Sequence, residues 1–324
     1  MKKTVYYTSI ALGIVLLLVI GLVGYMKIFL PNVGPAPDIT VQLTDEKIDR
    51  GRYLANHVML CMDCHAVRDF SYFAGPPKTE TLGAGGEKFN REMGLPGDFT
   101  AKNITPAALG DWTDGEIFRA ITSGVSKDGS ALFPIMPYPH YSKLAEDDIY
   151  AVIAYLRSIE PIESEHPPSE IDFPVSLLIN TMPVKPNLQP RPSDDDPIEY
   201  GRYMITAAAC TDCHTRHESG QFVGEPYAGG NEFLLPDGSI VRSANLTPHE
   251  TGIGNWTKEQ FVARFKAFSK EHYTNRKVES GHFQTIMPWP MYAEMEDKDL
   301  EAIYEYLMSL PPAENRVQLF TPAE

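Results

Sequence analysis

Two short stretches of the sequence place a pair of cysteines and a histidine at the same spacing. CMDCH occupies residues 61–65 and CTDCH occupies residues 210–214. Thiols at this spacing lie one helical turn apart and can form thioethers with the two vinyl groups of one porphyrin, whose iron the adjacent histidine then binds. The pattern predicts two haems c. The predicted covalent attachment points are Cys61, Cys64, Cys210 and Cys213, and the predicted iron ligands are His65 and His214.

A pair of cysteines has other uses. A structural zinc site needs four ligands and would have to join pairs that lie 149 residues apart. A redox dithiol of the thioredoxin type needs a βαβ setting, of which the flanking sequence gives no sign. The histidine that follows each pair therefore favours haem attachment.

Each motif is followed by a methionine flanked by proline, in IMPYPHY (135–141) and in IMPWPMY (286–292). Proline excludes a helix through these stretches and makes them stiff. A thioether sulfur suits iron in an apolar setting, and a His/Met pair raises the reduction potential. The spacing from histidine to methionine is 71 residues in the first copy and 73 in the second. We therefore predict Met136 and Met287 as the second axial ligands.

Other interpretations of the repeated residues remain open. A methionine in such a place is often core filler. His140 and His282 lie near the two methionines, but neither has a histidine at the equivalent position of the other copy. Four further repeated side chains are candidates for haem propionate contacts, with ring packing or turn capping as the alternatives: Trp112, Trp256, Asn103 and Asn245.

The two parts of the chain repeat one another at an offset near 150 residues. GRYLANHVMLCMDCH (51–65) matches GRYMITAAACTDCH (201–214), which is one residue shorter, and NITPAALGDWTDGEIF (103–118) matches NLTPHETGIGNWTKEQF (245–261). Matches in the same order indicate a tandem duplication. The predicted domains cover residues 44–160 and 198–316, with a linker over 161–197.

Helices are predicted to position the motifs, so the expected fold class is mainly α. Thr113 and Thr257 follow tryptophans and have the pattern of N-caps. Gly51 and Gly201 are expected to let the first helix of each copy approach the last one. An Asp-Gly turn indicates a small hairpin over 234–241.

The linker over 161–197 contains nine of the 27 prolines. This composition predicts no regular element, and the apolar residues near 177–180 suggest that the linker lies along the domain surfaces. The whole chain carries a net charge of −15, which argues against nucleic acid as a partner.

The N-terminus has a different character. Lys2 and Lys3 precede a 23-residue uncharged run from Thr4 to Met26. As a helix this run would be about 35 Å long, enough to cross a bilayer. A cleaved signal peptide is the alternative, but the run is long for one and no A-x-A-like site follows. We predict an uncleaved anchor over 4–30. The lysines favour a cytoplasmic N-terminus, and thus a single-pass inner-membrane protein with its haem domains on the periplasmic side.

The chain resembles the class I cytochromes c. The order N-[IL]-T-P, then W-T, then the Met-Pro loop is similar to the cytochrome subunits of membrane-bound alcohol, aldehyde and gluconate dehydrogenases. The resemblance implies two tandem class I cytochrome c domains after an N-terminal transmembrane helix. It also implies axial pairs His65/Met136 and His214/Met287. Those subunits usually carry three haems, whereas this sequence has two motifs.

Two functions are consistent with these sequence features. The first is a membrane-anchored dihaem electron carrier, with no catalysis of its own. It would connect a dehydrogenase or quinol-oxidising partner with a terminal acceptor such as an oxidase or a soluble cytochrome. The second is a dihaem peroxidase-like enzyme, which needs one iron without a strong sixth ligand and an acid/base group above it. Glu294, Glu296 and His140 are the candidates for that group.

Overall fold

The computed structural model describes residues 2–218 and 220–323, and helices dominate it. The helices are α1 (Lys2–Ile28), α2 (Asp45–Tyr53), α3 (Cys61–Cys64), α4 (Pro106–Leu109), α5 (Asp114–Ser123), α6 (Tyr138–Tyr141), α7 (Glu146–Ser158), α8 (Val175–Leu178), α9 (Pro197–Ala207), α10 (Cys210–His214), α11 (Lys258–Lys266), α12 (Trp289–Tyr292) and α13 (Asp297–Met308). The strands are β1 (Lys88–Phe89), β2 (Gly97–Thr100), β3 (Glu170–Ile171), β4 (His217–Glu218), β5 (Gln221–Phe222), β6 (Glu232–Leu234), β7 (Ile240–Arg242) and β8 (Phe320–Thr321).

The same helix pair forms the frame of both halves of the chain. We call residues 44–160 the N-terminal half and residues 198–316 the C-terminal half. In the N-terminal half α2 packs against α7, and in the C-terminal half α9 packs against α13. A Cβ at Gly51 would collide with the carbonyl oxygen of Ala151, and one at Gly201 would collide with that of Ala302. The predicted close approach of first and last helix is confirmed, and only glycine permits it.

The helices that follow the tryptophans begin where the sequence predicts. The side chain of Thr113 accepts a hydrogen bond from the backbone amide of Glu116, and the side chain of Glu116 accepts one from the backbone amide of Thr113. Thr257 and Gln260 form the same pair of bonds, which is known as a capping box. These reciprocal bonds satisfy donors that a helix start leaves free. The buried faces of α5 and α11 include Ile117 and Phe261 and join the common apolar core.

The first copy has one residue more than the second between Gly51 and its cysteine motif, and a π-helical turn accommodates this residue just before the motif. Residues Leu54–Val58 form a π-helical turn, closed by a bond of 2.7 Å from the Met59 amide to the Leu54 carbonyl. A π turn accommodates one additional residue without ending the helix. The two cysteine motifs can therefore begin in the same way although the segments before them differ in length.

The small strands pair locally. β6 and β7 form the predicted hairpin, with Gly238 at φ 86° in its turn. β8 pairs with β7, so this sheet includes residues beyond the predicted boundary at 316. The linker prediction is wrong in one respect, because the linker contains β3 and α8. β3 pairs with β2 of the N-terminal half, and these backbone bonds give the proline-rich linker local order.

The N-terminal helix stands apart from this fold. Over Lys3–Ile28 it is long and apolar enough to cross a membrane, and almost none of it is covered by the rest of the protein. A membrane anchor and a signal sequence share these properties.

The two halves are joined by a reciprocal exchange of hydrogen bonds. Tyr53 of α2 donates to Asp299 of α13 at 2.5 Å, and its counterpart Tyr203 of α9 donates to Asp148 of α7 at 2.6 Å. Each half therefore supplies a tyrosine to the aspartate of the other. Both aspartates are almost fully buried, which makes these bonds part of a closed interface.

Candidate haem sites

The two cysteine motifs begin with the same backbone conformation. Leu60 precedes Cys61 with φ 54°, and Ala209 precedes Cys210 with φ 50°. Residues with side chains seldom adopt this left-handed conformation, and its cost is tolerated where the surrounding fold fixes it. In both halves it turns the chain into a single helical turn that carries the two thiols.

The two other interpretations of the cysteines find little support in the geometry. Burial raises the pKa of Cys61, Cys64 and Cys210 to about 12, whereas a reactive dithiol depends on a lowered pKa. Within residues 2–218 and 220–323, no three His, Cys, Asp or Glu side chains lie together as a metal site would require. A zinc site built from these groups is therefore not formed.

Both histidines of the motifs are fixed by their Nδ1 atoms. Nδ1 of His65 lies 2.6 Å from the carbonyl oxygen of Lys102, and Nδ1 of His214 lies 2.8 Å from that of Ala244. Because a carbonyl can only accept, Nδ1 carries the proton in each ring. Burial lowers the pKa of both imidazoles, which keeps them neutral. The lone pair of Nε2 is then available to a metal ion, as in other metal-binding histidines.

The proline-flanked methionines lie in matching turns. The amide of Tyr138 donates to the carbonyl of Met136 at 2.7 Å, and the amide of Trp289 donates to that of Met287 at 2.8 Å. Both methionine side chains are partly buried against the apolar core. The short helices α6 and α12 follow directly, so each methionine is attached to a fixed element.

A tyrosine ties each methionine loop to the cysteine motif of the same half. The hydroxyl of Tyr141 donates to the carbonyl of Met59 at 2.8 Å, and that of Tyr292 donates to the carbonyl of Ala208 at 2.9 Å. Both acceptors lie two residues before the first cysteine. Burial raises the pKa of both tyrosines well above the usual range, so the hydroxyls keep their protons. The sequence prediction missed this role, although the final tyrosine of both seven-residue stretches was its signal.

In the C-terminal half these groups surround one cavity of about 590 Å³. Cys210, Cys213, His214 and Met287 all line it, and most of its wall is apolar and aromatic. Cofactor sites have this character, with volumes of ~300–1,000 Å³ and a few placed polar groups. Trp256 and Asn245 also line the cavity. The donor set and the apolar wall fit a haem c.

In the N-terminal half an unpaired hydroxyl marks the corresponding region. Tyr138, directly after the Met136-Pro137 pair, is fully buried, and its hydroxyl has no hydrogen-bond partner among the described residues. Burying such a group is costly unless something pairs with it. Tyr138 is the counterpart of Trp289, which lines the cavity of the C-terminal half, so its hydroxyl is a candidate donor to a bound group.

The predicted propionate contacts have different surroundings. Oδ1 of Asn103 accepts from both the amide and the hydroxyl of Thr105 at 2.8 Å, and Asn245 binds Thr247 in the same way. Their Nδ2 groups donate to the carbonyls of Ile162 and Ala313. These asparagines thus hold the turn before each Thr-Pro, which was the open alternative. Trp112 packs against the core of its half.

The two alternative histidine ligands lie elsewhere. Nε2 of His140 is 2.6 Å from a carboxylate oxygen of Asp212, so this ring nitrogen is occupied. His282 is exposed and is not among the described residues that line the cavity. Neither side chain competes with Met136 or Met287 in this arrangement.

An arginine connects the two sites. Arg68, three residues after His65, lies 3.4 Å from Asp63 of the first motif, and its Nη2 donates at 3.2 Å to the carbonyl of Ile286, next to Met287. Its side chain is mostly buried. The first cysteine motif and the second methionine loop are thus held against each other, which brings the two candidate sites together across the interface.

Comparison with known proteins agrees with this chemistry. Residues 198–311 match the family model "Cytochrome c". The chain therefore contains a cytochrome c domain, and that family implies a haem c. The model match covers the C-terminal half.

Most of the chain is similar to cytochrome subunits of dehydrogenases. It is 28% identical over 282 residues to the cytochrome c subunit of alcohol dehydrogenase (quinone) from Gluconacetobacter polyoxogenes, covering 82% of this chain and 56% of that protein. It is 26% identical over 298 residues to the gluconate 2-dehydrogenase cytochrome c subunit of Pantoea cypripedii, covering 86% of this chain and 63% of that protein. The chain thus spans little more than half the length of these relatives.

A third relative is matched over almost its whole length. The "Diheme cytochrome c-type" protein of Cereibacter sphaeroides is 24% identical over 328 residues, covering 94% of this chain and 99% of that protein. Similarity to a protein described as dihaem extends over both cysteine motifs.

Proposed function

We propose that the chain is a membrane-anchored dihaem cytochrome c that carries electrons outside the cytoplasm. Cys61 and Cys64 would hold one haem, with His65 and Met136 as axial ligands. The equivalent residues for the second haem are Cys210, Cys213, His214 and Met287. Bound in this way, each haem supplies one reversible one-electron change of its iron.

The observation that carries the proposal is the matched bracing of ligands in both halves. Each histidine is oriented by a carbonyl at its Nδ1, and each methionine loop is tied to its cysteine motif by a buried tyrosine. Rigidly placed ligands change little when the iron changes valence, which suits electron transfer. If a histidine and a methionine bound each iron, no coordination position would remain for a substrate.

A dehydrogenase is the favoured electron donor. This partner is supported by the similarity to cytochrome c subunits of alcohol and gluconate dehydrogenases. The acceptor would be quinone, a terminal oxidase or a soluble cytochrome. The acidic body of the chain favours partners with a basic docking surface.

The N-terminal helix supports placement at a membrane. Lys2 and Lys3 at its start favour a cytoplasmic N-terminus, which puts both halves on the opposite, periplasmic side. This is also the compartment in which haem is attached to CxxCH motifs.

The peroxidase-like alternative gains nothing from the site. The carboxylate of Glu294 accepts from the amide of Lys270, and Glu296 lies at the start of α13. Neither is among the described residues that line the cavity. His140 is engaged with Asp212.

The test is a haem count and spectrum of the purified full-length protein. We expect two haems c per chain by the pyridine haemochrome method, both low-spin, with no turnover of hydrogen peroxide. One haem per chain would contradict the dihaem assignment. A high-spin haem with peroxide turnover would contradict the carrier function and favour the enzyme.

A further inference from the structure

The linker between the halves contains an uncharged run that the proposed function does not use. Residues 173–184 read FPVSLLINTMPV, and charged side chains bound the run at Asp172 and Lys185. Linkers in water are usually polar, so twelve consecutive residues without charge call for an apolar neighbour.

Both ends of this run are fixed to the N-terminal half. The amide of Asp172 donates to the carbonyl of Pro96 at 2.9 Å, and its carboxylate pairs with Arg91 at 2.8 Å. At the other end, the amide of Val184 donates to the carbonyl of Ser123 at 3.1 Å. The run between them is therefore a projecting loop with a fixed base, and it contains α8.

The projecting loop meets the N-terminal helix. Nδ2 of Asn180 donates to the carbonyl of Met26 at 3.1 Å, and Met26 is only 6% exposed. Met26 is the last residue of the uncharged run of α1. The loop thus lies at the depth where the helix would leave the hydrocarbon layer, since each residue of a helix adds about 1.5 Å along its axis.

Two apolar side chains of the loop are exposed, whereas Ile179 is buried. Phe173 is 80% exposed and Leu178 is 41% exposed, whereas Ile28 at the end of α1 is 75% exposed. Exposed apolar side chains thus lie on both segments that meet at Asn180 and Met26. Lys27 follows the apolar run of α1 and Lys185 follows that of the loop, as basic residues that suit anionic lipid headgroups.

We propose that residues 173–182 rest in the interface of the bilayer that α1 crosses, as a second membrane contact of the N-terminal half. The partner is the lipid surface, and the inference depends on α1 being an uncleaved anchor, as in the proposed function. Short apolar segments beside a spanning helix bind at this depth by burying their apolar side chains.

The consequence is a fixed orientation of the N-terminal half. The chain after α1 is also held to this half, because the amide of Val41 donates at 2.8 Å to Asp114, which pairs with Arg157 at 2.9 Å. With the loop seated in the membrane, the half is attached at two separate places. The haem sites then face their partners at a set height and angle.

A lipid crosslinking experiment tests the inference. A photoreactive phenylalanine analogue is placed in the full-length protein at one position at a time, and each protein is reconstituted in vesicles of equal parts phosphatidylethanolamine and phosphatidylglycerol. Positions Phe173 and Leu178 test the loop. Leu17, 70% exposed on α1, reports the anchor, and Phe222, 56% exposed on β5, is the matched control for an exposed apolar residue.

We expect lipid adducts at positions 17, 173 and 178, with about tenfold less at position 222, because only interfacial side chains reach lipid. Adducts at position 17 without adducts at 173 and 178 would overturn the loop contact and leave the anchor intact. No adduct at position 17 would overturn the anchor and the loop contact with it. Equal adducts at 173 and 222 would also overturn the proposal, because the loop would then be no different from the rest of the surface.

Discussion

The two halves hold their histidines and methionine loops in the same way but stabilise the aspartate of their last helix differently. Asp148 in α7 binds Arg50 through two bonds of 2.9 Å, and Arg191 lies 3.3 Å away. Asp299, at the same position in α13, accepts from Tyr200 at 2.8 Å, and Tyr200 is the counterpart of Arg50. The parts that would hold iron are duplicated, and so are the tyrosine–aspartate bonds that join the halves. The partner that each aspartate finds within its own half has diverged.

The comparison indicates which features each half needs by itself. If each half binds its own haem, each needs a complete ligand set, which explains why the residues that brace it recur. The additional partner of each aspartate lies within its own half, so Arg50 can serve in one half and Tyr200 in the other.

The largest effect is expected from removing the cysteines of one motif at a time, because this tests whether each half binds its own haem. Cys61→Ala/Cys64→Ala and Cys210→Ala/Cys213→Ala should each reduce covalent haem from two per chain to one, because each motif serves one porphyrin. The haemochrome assay and the mass of the intact protein measure this. Loss of both haems from either variant would show that the halves are not self-contained, and loss of none would exclude the motif as an attachment point.

The next effect concerns the two buried aspartates. Asp148→Asn should lower the free energy of unfolding by about 2–3 kcal/mol, because it leaves the mostly buried Arg50 and the half-exposed Arg191 without their anion. Asp299→Asn should cost about 1 kcal/mol, because Tyr53 and Tyr200 donate to different oxygens of Asp299 and the amide keeps one of them as an acceptor. Chemical unfolding followed by circular dichroism gives both values.

Asp147, the exposed neighbour of Asp148, offers the control for the comparison of the two aspartate variants. Asp147→Asn changes the same charge one residue away and should leave stability unchanged within about 0.5 kcal/mol. If Asp299→Asn were the more damaging variant, the arginine pairing would not be what distinguishes the halves.

Removing the buried tyrosine hydroxyl of either methionine loop should lower stability by a smaller amount, equal in the two halves. Tyr141→Phe and Tyr292→Phe each remove one buried hydrogen bond and should cost about 1 kcal/mol. Each should also loosen one methionine loop and shift the midpoint potential of one haem only. Tyr155→Phe removes a bond that its hydroxyl accepts from the side-chain amide of Asn56 and that involves neither methionine loop, and it is the control. A potential shift in the control, or in both haems of either variant, would argue against a local tie.

The smallest effect depends on pH. Burial opposes the charge of Asp148, but the hydrogen bonds and charge of Arg50 outweigh burial and lower the pKa of this carboxyl. An unfolded aspartate has a pKa of about 3.9. The unfolded chain therefore binds this proton more readily than the folded protein does. The stability that ionised Asp148 contributes is complete above about pH 4, and it is lost as the pH falls through the pKa of Asp148 in the folded protein.

Wild-type protein and Asp148→Asn should thus differ in stability at neutral pH and converge in acid. Effects of acid on the haem ligands are common to both proteins and cancel in the difference. A difference that stayed constant down to about pH 3 would show that Asp148 is not held ionised.

Local features of the fold were predictable from the sequence. The two capping boxes, the Asp-Gly hairpin and the glycine contacts at Gly51 and Gly201 depend on residues with strong local preferences, and all are confirmed. Repetition strengthened the capping and glycine predictions, because each of those patterns appeared twice. The left-handed residues Leu60 and Ala209 were not foreseen, since neither residue type favours that conformation.

Contacts between the halves were beyond prediction. Tyr53 and Tyr203 are visible in the sequence as a repeated pair, but nothing in it says that each binds the aspartate of the opposite half. The same is true of Arg68, whose partners Asp63 and Ile286 lie in different halves. Such pairings depend on how two surfaces dock, which a local pattern does not encode.

The central claim is that a methionine completes the ligand set of each haem, and the weak sulfur–iron band in the red spectrum of the oxidised protein tests it most directly. We predict that Met136→Ala and Met287→Ala each remove one half of this band and lower one midpoint potential by on the order of 0.1 V, whereas Met291→Ala changes neither. If both variants kept the full band and both potentials, the methionines would not be ligands and the central claim would be wrong.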